Sequence, residues 1–179
     1  MTTLLLLMIL LPIVFMIHDF EEIIMFQPWL SKNKTELKER FPMFFTFLKK
    51  NNLFTLSTSE FAIGVLHMFL LISAVSYWAI YTQNYQWWFG AFMAYFIHLF
   101  MHIGQWIIYR KYVPVIITSL LSLPYCFYAL YVFVQAEILS LSQMFLWAII
   151  GCSIAILNFP LAFFWAKKFQ KRITSSLKT

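Results

Sequence analysis

Five predominantly apolar stretches, at residues 4–26, 58–81, 87–109, 113–135 and 143–165, constrain this chain more than any other feature. At about 1.5 Å of rise per residue, a helix of about 20 residues crosses the roughly 30 Å hydrocarbon core of a bilayer. Each stretch has that length. With 62% hydrophobic and 11% charged residues, the chain has too little polar surface to hide all five in a water-soluble core. The reading is an all-α, polytopic membrane helix bundle of five transmembrane helices, with residues 1–179 as a single five-helix membrane domain in the cell membrane.

Lys and Arg translocate poorly and collect in cytoplasmic loops. In a five-span chain all 13 fall on one side. Lys32, Lys34, Lys38, Arg40, Lys49 and Lys50 lie between the first two spans, and Arg110 and Lys111 between the third and fourth. Lys167, Lys168, Lys171, Arg172 and Lys178 form the tail. This asymmetry puts the N-terminus outside and the C-terminus in the cytoplasm, and it accounts for the net charge of +6 without a nucleic-acid partner. The first segment has neither a basic n-region nor a small-residue cleavage site, so it reads as a span and not as a cleaved signal. Residues 28–57 then form a basic cytoplasmic loop, in which 32–40 reads as a charged helix. The following Phe41-Pro-Met-Phe-Phe-Thr-Phe-Leu-Lys-Lys has the composition of a segment in the headgroup plane, acting as an anchor or as a lid. Cys126 and Cys152 fall within spans and read as structural thiols.

Ionisable groups inside a membrane helix cost roughly 2.5–3.5 kcal/mol each on insertion scales, so they face the bundle interior, where partners or function offset them. His18, Glu21 and Glu22 lie at i, i+3 and i+4 on one face of the first span. The second span carries Glu60, Gly64 and His67 in helical register. The third carries Tyr95, His98, His102 and Gln105, with the two histidines one turn apart. The fourth offers Thr118, Ser122 and Tyr125. The fifth has a face of Gly151, Ala155, Asn158 and Ala162, whose small residues fit close helix packing and permit a homodimer. Counted by depth, His18–Glu22, His67, His98–His102 and Asn158 fall in one layer, in the cytoplasmic half of the bilayer.

The first motif, His18-x-x-Glu21-Glu22, resembles the defining motif of the HXXEE family of small membrane proteins. The stretch His98-Leu-Phe-Met-His102-Ile-Gly-Gln, with Tyr109-Arg-Lys-Tyr-x-Pro114, Thr118 and Pro124 after it, resembles that family's second block. The resemblance implies an enzyme with His and Glu as its active groups, and no particular substrate.

The residue set itself points first to a divalent metal, with zinc favoured and iron an alternative. His18, His67, His98, His102 and Glu22 are the candidate ligands, with Glu60, Tyr95, Gln105 and Asn158 supporting them. Glu21, Glu22 and His18 are the candidate catalytic groups, Glu21 as general base to a metal-activated water. Such a site suits hydrolysis of a membrane lipid or other hydrophobic small molecule. Two further readings stay open. One is a metal-free proton-transfer isomerase of sterol-isomerase type, resting on buried carboxyls. The other is a non-enzymatic haem-binding or ion-conducting protein.

Overall fold

The computed structural model describes the backbone of residues 3–176; Lys178, counted above in the basic tail, and the Lys171 side chain lie outside it. Among the described residues there are six α-helices: α1 (Thr3–Arg40), α2 (Pro42–Lys50), α3 (Thr58–Thr82), α4 (Tyr85–Tyr109), α5 (Ile116–Gln135) and α6 (Leu141–Ser176). A single 3-10 turn, Leu53–Thr55, follows α2. All but α2 are long and apolar enough to cross a membrane. The five form a closed circuit in which α1 packs on α3 and α5, α3 on α6, α6 on α4, and α4 on α5. α4 also touches α3 and α1 across the middle.

Local chemistry explains where the helices begin and turn. Ser57 and Glu60 form a reciprocal capping box at the start of α3, the Ser57 side chain accepting from the Glu60 backbone N–H while the Glu60 carboxylate accepts from the Ser57 N–H. α3 and α4 are joined by Gln83 and Asn84 alone, with Gln83 in the left-handed region, which makes them an antiparallel hairpin. Pro12 lies inside α1 and cannot donate to the Met8 carbonyl one turn back. Trp88 of α4 supplies the missing donor, its Nε1 lying 3.3 Å from the Met8 oxygen. Trp88, Phe89, Phe92 and Phe133 are all fully buried there, in a stacked aromatic plug at the end of the bundle that carries no Lys or Arg.

Two boundaries differ from the sequence reading. A loop is expected from residue 28, yet α1 continues through Pro28 to Arg40 as one helix of 38 residues. The proline's lost hydrogen bond is outweighed by burial of Leu30 and Leu37, which join Leu48 of α2, Tyr109, Val113 and Ile116 in a second core at the basic end. The fourth span is expected from residue 113, but Val113–Val115 form a turn and α5 starts at Ile116. The small-residue face of α6 is used within the chain. A Cβ on Gly151 would fall onto the Gly90 carbonyl and lie 2.8 Å from the Gly90 Cα. Only two glycines allow α4 and α6 to cross so closely.

Candidate functional site

Three histidines from two helices meet near the middle of the bundle. His18 of α1, His98 and His102 of α4 each place a ring nitrogen within 4.8 Å of the others. Their ring centroids are 5.5 Å (His18 to His98), 5.4 Å (His18 to His102) and 4.3 Å (His98 to His102) apart. The third span's i, i+4 spacing brings His98 and His102 together by helix geometry alone. Only the packing of α1 against α4 adds His18, which is completely buried.

The hydrogen bonds assign the protons on two of these rings. His102 Nδ1 lies 3.1 Å from Gln105 Oε1, an acceptor, so Nδ1 carries the proton and Nε2 keeps its lone pair. His98 Nε2 donates into that lone pair at 2.9 Å. His18 Nε2 is buried and has no partner, while its Nδ1 lies 3.4 Å from the Thr118 hydroxyl. Thr118 Oγ1 donates in turn to Glu21 Oε2 at 2.7 Å. The carboxylate, the hydroxyl and the imidazole thus form a chain that favours the Nδ1–H tautomer of His18 and leaves Nε2 unprotonated. Tyr95 flanks the same ring edge-on at 5.6 Å and anchors its own hydroxyl on Ser122 at 3.1 Å.

The two glutamates of the first motif have different surroundings. Glu21 is fully engaged: it accepts from the Tyr112 hydroxyl at 2.8 Å, from the Thr118 backbone N–H at 2.8 Å and from the Thr118 hydroxyl. It therefore caps α5 from another helix, in place of a capping side chain at Val115. Tyr112, in the α4–α5 turn, has its phenol pushed up to about 12, first by burial and then by the Glu21 carboxylate to which it donates. Glu22 instead faces a cavity of about 290 Å³, whose wall it shares with His102 and Gln105. The rest of that wall is apolar or aromatic and includes Phe26, Trp29, Leu30, Phe41 and Val113.

Three expected members lie elsewhere. His67 does not join the other histidines: its Nε2 donates to Asn158 Oδ1 at 3.1 Å, tying α3 to α6. Asn158 is accordingly the partner of His67 and not a support of the cluster. Glu60 serves the α3 cap. α3 presents this face to α6, so a shared depth in the bilayer does not become a shared site. Asp19, which the spacing argument passed over, is 5% exposed and has a carboxylate oxygen without a partner. It lies one turn from Glu22 on α1. The signal available in the sequence was a third acid inside the first motif.

No curated protein and no solved structure matches the chain. A family model described as a protein of unknown function with HXXEE motif matches residues 9–129, well over half of the chain. His18, His98 and His102 all fall within the matched region. His18, Glu21 and Glu22, which respectively join the histidine cluster, cap α5 and face the cavity, are the letters of that motif, and the chain belongs to the HXXEE family.

Proposed function

We propose that the protein is an intramembrane metal-dependent hydrolase that holds one divalent ion, zinc in preference to iron, on His18, His98 and His102. The supporting observation is that three imidazoles from two helices converge within 4.8 Å while a buried ring nitrogen, His18 Nε2, has no partner. Neutral imidazoles are good zinc ligands, and three of them leave a coordination position free. Such an ion supplies Lewis-acid activation of water near neutral pH. The chain's own groups do the rest. Gln105 and the Glu21–Thr118 pair hold His102 and His18 in the tautomers that present Nε2.

Glu22 replaces Glu21 as the general base in this reading, because Glu21's oxygens are taken by Tyr112 and Thr118 while Glu22 faces the cavity. In the hydrolysis, the oxygen of water bonds to the substrate's acyl carbon and the bond from that carbon to the leaving oxygen or nitrogen breaks. Glu22 takes the proton from the water and returns it to the leaving group. The basic end of the bundle faces the cytoplasm, as the Lys and Arg distribution supports, and the cell membrane is the membrane assigned to it.

The test is the metal content of the purified protein. The expected result is about one zinc per chain in wild type and in His67→Ala, falling below about 0.2 in His98→Ala and His102→Ala. Wild type with less than about 0.2 metal per chain after purification without chelators and addition of zinc would remove the metal reading. It would leave Asp19 and Glu22 as the groups of a metal-free acid–base enzyme.

A further inference from the structure

The cavity has a direction. Glu22, His102 and Gln105 stand at its inner end, beside the histidine cluster, whereas Tyr109, farther out, commits its hydroxyl to Asn33 and Glu36 and offers the cavity its ring. From Glu22 the wall follows α1 outward through Phe26, Trp29 and Leu30 to Leu37, about 22 Å along the helix at 1.5 Å per residue. Phe41 and Phe44, at the start of α2, line the outer part. Polarity thus runs opposite to that of a lipid resting in its own leaflet, whose head lies at the surface and whose chain points to the bilayer centre.

The volume limits what fits. About 290 Å³ drawn out along about 22 Å of α1 is a narrow channel, about the width of one extended chain. The inner end offers hydrogen-bonding groups, Glu22, His102 and Gln105, in an otherwise largely apolar wall, which suits the carbonyl of a neutral ester or amide.

We infer that the cavity binds a single-chain amphiphile with a neutral acyl ester or amide, its carbonyl inward at Glu22 and His102 and its chain outward under α2. This assignment rests on the proposed hydrolase and names its substrate class. An extended chain advances about 1.2 Å per bond, so about eighteen carbons reach from Glu22 to Leu37. The hydrophobic contact with Trp29, Leu30 and Phe41 supplies affinity, and the polar end fixes orientation.

Photo-crosslinking of the full chain in membranes tests this with the methyl ester of an octadecanoate that carries a diazirine at its tail, followed by peptide mapping. The expected label lies on residues 37–44. A second probe, with the diazirine beside the carbonyl, is expected to label residues 22–30 or 102–105. Leu30→Trp fills the cavity and is expected to reduce labelling at least about tenfold, equivalent to about 1.4 kcal/mol. Should that variant not fold, Ile108→Trp at the exposed rim tests the same blockage. The inference is overturned by labelling that Leu30→Trp or Ile108→Trp leaves unchanged, by tail label at Glu22 or His102, or by equal competition from a two-chain phosphatidylcholine. The outcomes for the two readings separate. Correct labelling in a protein that retains no zinc keeps the ligand site and removes the metal, and a zinc-loaded protein with no labelling does the reverse.

Discussion

His98 Nε2 and His102 Nε2 lie 2.9 Å apart, one turn apart on α4, with a single proton between them. With Gln105 on its other nitrogen, that bond satisfies the His102 ring. It is also replaceable: with His102 Nδ1 bonded to Gln105, one shift of the His98 proton from Nε2 to Nδ1 presents two lone pairs on the same side. His18 Nε2, without a partner, supplies the third.

Gln105 is therefore expected to control metal affinity without touching the metal. Gln105→Leu removes the acceptor that fixes the His102 tautomer and should weaken zinc binding about 10–100-fold. Gln105→Glu, which keeps an acceptor, should retain most of it. Competition with a chromophoric chelator measures both, and equal affinities for Gln105→Leu and wild type would remove this role.

Glu21 holds α1 and α5 together through the Thr118 N–H, the Thr118 hydroxyl and Tyr112. Glu21→Ala leaves the start of α5 without its cap and should cost about 2–4 kcal/mol in detergent unfolding, whereas Glu21→Gln should cost less. Tyr112 adds a pH signature. Its folded pKa is raised from 10.0 to about 12, so its contribution is whole below about pH 10 and is lost as the pH rises through about 12. The stability gap between wild type and Tyr112→Phe should close over that window.

The α4–α6 crossing depends on the absence of two side chains. A Cβ on Gly151 meets the Gly90 backbone, and one on Gly90 lies 3.1 Å from the Trp147 carbonyl. Gly151→Ala must push the helices apart and should destabilise by about 1–3 kcal/mol or more. Gly104, by contrast, has nothing within 4 Å of an added Cβ, so Gly104→Ala should stabilise by up to about 1 kcal/mol. Thermal unfolding of both variants in one detergent reads the sign of each effect.

His67 and Asn158 bridge α3 and α6 at 3.1 Å. Hydrogen bonds of this kind in membranes are worth about 0.6 kcal/mol on average, so His67→Ala and Asn158→Ala should each cost less than about 2 kcal/mol. Both should keep the metal content of wild type. Loss of zinc in His67→Ala would bring His67 back among the ligands.

The sequence by itself determined the membrane character, because apolar runs long enough to span a bilayer leave few alternatives to a helix bundle when every backbone group must be bonded internally. It also determined the pairing of His98 with His102 and the shared face of His18 and Glu22, since i, i+4 spacing acts within one helix. Only the tertiary structure decided which helices those faces meet. Depth placed His67 and Asn158 in the same layer as His18, but rotation about the helix axis turns them toward each other, and a linear pattern carries no information on that angle between helices. The neighbouring letters Glu21 and Glu22 separated for the same reason. One residue of helix turn, about 100°, sends Glu21 to the start of α5 and Glu22 to the cavity.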